Sequence, residues 1–221
     1  MLLTIVSLFV RIQEKLGDLA TVYNYLLNSK HRLQYTSIVI DSCDFCAEEG
    51  LSLLRNLVSS DFLVSLDIHG ILSKLPSHFG QSLTRLILHD SQLNEDPMAT
   101  LEKLPNLRYL YLRGAFVGKE MVCSAHGFPH LRSLVLVDMT TLEEWKVVDG
   151  AMPNLSFLLI RSCEKLKMVP DGLRFITTLQ ELKIRRMPKE FEDRLRVVDG
   201  EEGEDFHKIQ HIHSIQFRKK D

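Results

Sequence analysis

The sequence predicts an α/β solenoid, a stack of short strands in one parallel sheet with return segments behind it. The first observation is a recurring pattern, apolar-x-x-apolar-x-apolar, whose second apolar position falls at Ile38, Leu66, Leu86, Leu110, Leu134, Leu158, Leu182 and Ile215. The second is spacing: successive copies lie 28, 20, 24, 24, 24, 24 and 33 residues apart, against a period of about 20–29 residues for leucine-rich repeats. The third is punctuation. Pro76, Pro105, Pro129, Pro153 and Pro170 all fall between copies, where a missing backbone donor does no harm. The expected architecture is a leucine-rich-repeat horseshoe with a parallel concave sheet and short helices or irregular coil on its convex side.

Each copy reads as a strand with one buried face. In Leu107–Leu112, Leu110 and Leu112 are two apart and share a side, while Tyr109, Tyr111 and Arg113 take the other. One repeat cannot bury its own leucines, so copies must stack. Ahead of the first full copy, Leu3, Val6 and Leu8 fit the same template. They predict a partial ninth strand with Val6 in the second apolar position. The stretch Leu2–Val10 has no basic residue ahead of it and no small-residue cleavage site after it, which argues against a secretory signal. It is also too short to span a bilayer.

An amphipathic helix is expected around Leu16 to Leu27. This divides the chain into a partial repeat and helix over 1–34, a repeat domain over 35–217 and a polar tail over 218–221. An apolar start is a poor solenoid cap, so the chain is expected to continue upstream in its natural context or to be a truncated product. The acidic run Asp199 to Asp205 accounts for the longest spacing and reads as a solvated loop.

Composition narrows the function. With 221 residues and a net charge of −2, the chain lacks the basic excess of a nucleic-acid binder. Four cysteines in a chain this long do not make a disulfide framework. Cys43 and Cys163 share a repeat position and read as small buried fillers, Cys123 lies in a return segment, and the Cys43–Cys46 pair lacks the two further ligands of a zinc site. Gly114–Glu120 is one residue short of a phosphate loop and ends in Glu. His207, His211 and His213 lack a convincing fourth ligand, and alternation on a final strand accounts for two of them. The sequon at Asn154 reads as silent. An enzyme would need a convergent polar site, and the concave face offers Asp67, His69 and His89 near one end without a plausible nucleophile. No catalysis, metal or cofactor is expected.

The exposed side of the sheet is then the place to look. Its residues are Ser65, Asp67 and His69; Arg85, Ile87 and His89; Tyr109, Tyr111 and Arg113; Ser133, Val135 and Val137; Phe157, Leu159 and Arg161; and Glu181, Lys183 and Arg185. The middle strands are aromatic or aliphatic and the flanking ones charged. An apolar patch with a polar rim marks an interface. The alternative is that neighbouring side chains cover one another on a curved sheet. The candidate protein-binding residues are Arg85, Ile87, Tyr109, Tyr111, Arg113, Val135, Val137, Phe157, Leu159, Arg161, Lys183 and Arg185.

The C-terminal third carries a family resemblance. Trp145, Gly150–Leu155, Cys163–Lys167, Pro170–Leu173, Leu179–Ile184, Met187-Pro188, Phe191 and Arg194-Leu195 occur in order. Together they resemble the last repeats of plant nucleotide-binding leucine-rich-repeat disease resistance receptors of the coiled-coil class, and Gly203–Ile212 resembles that family's closing strand. The first half resembles the family through its repeat alone.

The resemblance implies a cytoplasmic immune receptor whose repeats recognise a pathogen effector or a guarded host protein and hold a nucleotide-binding switch closed. The partners it implies are an effector, a host guardee or the receptor's own nucleotide-binding domain, with no nucleic acid and no membrane span. No phosphate loop or coiled-coil segment is found here, so the chain is expected to be a fragment without the switch. The second reading is a stand-alone leucine-rich-repeat scaffold or adapter.

Overall fold

Alternation of leucine and polar residues produces a ladder of short strands, each too narrow to fold alone. A computed structural model describes residues 6–13, 21, 24–25, 33–41, 48–61, 63–198 and 200–218. In chain order the strands are β1 (Val6–Gln13), β2 (Leu33–Asp41), β3 (Leu63–His69), β4 (Arg85–His89), β5 (Tyr109–Arg113), β6 (Glu120–Cys123), β7 (Ser133–Val137), β8 (Glu144–Val147), β9 (Phe157–Arg161), β10 (Glu181–Arg185), β11 (Val197–Val198), β12 (Glu201–Glu202) and β13 (Ser214–Arg218). The helices are α1 (Glu48–Val58), α2 (Met98–Leu101) and α3 (Lys189–Asp193).

One nine-stranded sheet runs β1-β2-β3-β4-β5-β7-β9-β10-β13, every neighbouring pair parallel. Its register is the repeat itself. Ile38, Leu66, Leu86, Leu110, Leu134, Leu158, Leu182 and Ile215 align in one row across it. Leu66 through Leu182 in that row are fully buried and belong to one continuous core.

The first strand is longer than its template match and differently registered. Val10, not Val6, pairs with Ile38, because β1 extends to Gln13 and Val6 falls opposite Leu33. Of the helix expected around Leu16 to Leu27, Thr21, Asn24 and Tyr25 are helical and the rest lies outside the described residues. Cys43 and Cys46 lie outside them as well.

A left-handed residue turns the chain at the end of six concave strands. Gly70, Asp90, Gly114, Asp138, Ser162 and Arg186 each follow a strand and each has positive φ. Their N–H groups donate to His89, Arg113, Val137, Arg161, Arg185 and Arg218 carbonyls at 2.7–3.1 Å, which carries the ladder one rung past each strand. Behind the sheet the repeats touch through side chains that follow the return-segment prolines. Asn106 Nδ2 donates to the Gln81 carbonyl at 2.9 Å and Asn154 Nδ2 to that of Pro129 at 2.7 Å. Asn154 of the sequon thus bonds one repeat to the next.

The convex side carries a small parallel pair, β6 with β8, and two 3-10 turns at Asp171–Phe175 and Phe206–Lys208. Gly172 lies so close to the Val147 carbonyl that a methyl group there would overlap it. Cys123 and Cys163 are buried free thiols, and burial pushes both up to about 12.

The C-terminal end departs from expectation. The acidic run is no simple solvated loop: β12 pairs antiparallel with β11, and Asp205 is buried. Asp205 takes an ion pair from Arg194 at 2.7 Å and another from Lys208 at 2.8 Å, and Lys208 also reaches Asp171 at 2.6 Å. Glu204 joins the cluster through Arg194. Carboxylates are buried here by pairing them with cations. Gly203–Ile212, likened to a closing strand, forms turns and a 3-10 segment, and the strand is β13 immediately after it. None of His207, His211 and His213 therefore lies in the last strand, although all three are exposed.

Candidate protein-binding face

Parallel register sorts the outward side chains into three rows. The first is Ser65, Arg85, Tyr109, Ser133, Phe157, Glu181 and Ser214; the second is Asp67, Ile87, Tyr111, Val135, Leu159, Lys183 and Gln216. The third, at the C-terminal ends of the strands, is His69, His89, Arg113, Val137, Arg161, Arg185 and Arg218.

The face is not uniformly open. Ile87, Val135 and Val137 retain only 6%, 6% and 2% of their surface, covered by larger neighbours. Tyr109, Tyr111, Phe157 and Leu159 are half-buried and supply the accessible apolar area. Cations sit over two of the rings: the Arg85 guanidinium is 4.7 Å from the Tyr109 centroid and the Lys183 ammonium 5.1 Å from that of Phe157. Such contacts hold both partners in place without closing the ring edges. Lys183 is further anchored by Glu181 at 2.8 Å.

The third row is basic towards the last strands. Arg113 donates to Asp138 at 2.9 Å, and this pair holds its guanidinium above the usual arginine range. The Nε of Arg161 is buried without a hydrogen-bond partner. Neither Arg161 nor Arg185 makes an ion pair among the described residues. Asp138 was not singled out from the sequence, and its only signal there is an aspartate directly after a strand, where a left-handed turn is needed.

At the other end, His69, His89 and Tyr111 form a row of rings with centroids 4.1 Å and 5.0 Å apart. Asp67 Oδ1 is 3.0 Å from His69 Nε2 and 4.0 Å from His89 Nε2. Burial, with the neighbouring His69, holds His89 below the ordinary imidazole range. Burial also raises the Tyr111 phenol. Asp67, His69 and His89 each bring one donor atom within 4.8 Å of the others.

The comparisons fall on one kind of protein. A disease resistance RPP8-like protein 3 of Arabidopsis thaliana is 45% identical over 157 residues, covering 70% of this chain and 16% of the relative. The disease resistance protein RPP8 is 37% identical over 241 residues, 92% of this chain and 26% of its own length. The chain is homologous to plant disease resistance proteins. A probable RPP8-like protein 2 agrees, at 49% identity over 63% of this chain and 15% of the relative. The resemblance read from the sequence is thereby met, and it extends beyond the C-terminal third. The chain spans between 15% and 26% of the length of these relatives. No family model matches it. No described helix is long and apolar enough to cross a membrane.

Proposed function

We propose that this chain is the protein-binding repeat module of a cytoplasmic plant immune receptor, a fragment without the nucleotide-binding switch. It engages a pathogen effector, a guarded host protein or the nucleotide-binding domain of a receptor, the last contact being autoinhibitory. The observation that carries this reading is the concave face. Half-buried Tyr109, Tyr111, Phe157 and Leu159 lie beside a basic row with Arg161 and Arg185 unpaired among the described residues, a combination suited to a protein segment with apolar and acidic side chains. Homology to disease resistance proteins supports the biological setting. Binding, without catalysis and without nucleic acid, is the role assigned.

The test is affinity capture with the wild type and a Tyr111→Ala, Phe157→Ala double variant. Loss of a specific partner with the variant is the expected result. Equal recovery of every specific partner would sink the concave-face reading.

A further inference from the structure

The three polar residues at the β3–β4 end of the concave face have a geometry that protein binding does not require. We propose that Asp67, His69 and His89 form a binding site for a single divalent transition-metal ion of the zinc class. One donor atom from each residue lies within 4.8 Å of the others. Nitrogen and oxygen ligands about 2.0–2.2 Å from a tetrahedral ion are separated by roughly 3.3–3.5 Å. The observed 3.0 Å and 4.0 Å separations bracket that value, so small side-chain rotations close the set.

An independent observation points the same way. Asp67 Oδ1 is buried and makes no hydrogen bond, and its 3.0 Å approach to His69 Nε2 is an ion pair only when that imidazole is protonated. A buried carboxylate oxygen without a hydrogen-bond partner is costly, and a cation equidistant from the three donors would satisfy it. The scaffold is already rigid. Asp67 and His69 are two apart on β3, hence on one face, and His69 and His89 are direct partners across the β3–β4 ladder.

Two imidazoles and one carboxylate select the ion class. Such a donor set suits Zn²⁺, Ni²⁺ or Cu²⁺, whereas Ca²⁺ and Mg²⁺ require mostly oxygen ligands. Among the described residues these three are the donors brought together. The plain alternative is that Asp67 only stabilises a protonated histidine, and it predicts no ion uptake.

The whole 221-residue chain, stripped with chelator, is titrated with Zn²⁺ by calorimetry and with Co²⁺ by visible absorption. One ion per chain is expected, with Asp67→Asn and His89→Asn each weakening affinity about tenfold or more. A His207→Asn, His213→Asn variant leaves it unchanged. Should a concave variant misfold, imidazole NMR of the wild type decides: Zn²⁺ must move the His69 and His89 resonances first. Absence of stoichiometric binding, or binding lost only in the His207/His213 variant, would overturn the proposal.

Discussion

The residue after each concave strand is where single side chains meet the sharpest backbone demand. Asp90, Asp138, Ser162 and Arg186 hold φ of 52–53°, a conformation that costs a non-glycine residue roughly 1 kcal/mol. Arg186 is exposed, so Arg186→Gly is expected to raise stability by about 0.5 kcal/mol, the relief exceeding the added entropy of the unfolded chain. Gly114→Ala should cost about 1 kcal/mol or more, since the new methyl would also lie 2.6 Å from Asp90 Oδ1. Urea unfolding of both variants checks the pair of signs. The sequence was silent on this turn because only two of its six positions are glycine. The leucine rows, by contrast, were legible, since alternation states which side is buried whatever the turn chemistry. At the same scale, Cys123 and Cys163 have thiols pushed up to about 12. Both are expected to resist a thiol reagent at pH 8 until the chain is unfolded, and prompt labelling of either in the native protein would contradict their burial.

At the scale of elements, stability divides between the leucine ladder and the ion-pair cluster around Asp205. Leu134 is fully buried in the central row, and Leu134→Ala should cost about 3 kcal/mol by denaturant titration. The cluster depends on charge instead. Burial alone would raise the Asp205 carboxyl, but hydrogen bonds from Arg194 and Lys208 outweigh it and set it below its ordinary 3.8. Its contribution is therefore present above the ordinary aspartate range and is lost as pH falls through the lower folded value. Hydrogen exchange in Ile209–Ile212 should accordingly quicken below about pH 4 before that in β7, given the ordinary aspartate pKa. Asp205→Asn should destabilise at pH 7 by about 3 kcal/mol, because it leaves buried Lys208 short of one carboxylate. This element was misread from sequence for a physical reason. A run of acids looks solvated until the basic partners, Arg194 and Lys208, are brought to it by a turn that has no periodicity.

Across the whole molecule, one nine-stranded sheet presents a graded surface. From β3 onward, histidine and aspartate come first, aromatic rings follow in the middle and arginines lie towards the last strands. The identity of the outward residues was readable from period-two alternation alone. Their accessibility was not. Ile87, Val135 and Val137 are covered by neighbours that only the parallel register brings alongside, and the Arg85–Tyr109 and Lys183–Phe157 contacts likewise join residues 24 and 26 apart in sequence. Tyr111→Ala alone should weaken binding of a concave-face partner by about 2 kcal/mol if its ring is central to the contact, read as roughly a thirtyfold rise in Kd.

Hydroxyl-radical footprinting of the chain with and without a captured partner, read residue by residue in the mass spectrometer, tests the central claim most directly. Oxidation of Tyr109, Tyr111 and Phe157 should slow in the complex while that of Met168 and Phe175, exposed in a return segment, stays the same. Protection of Met168 and Phe175 with an unchanged concave face would place the interface on the opposite side and contradict the account.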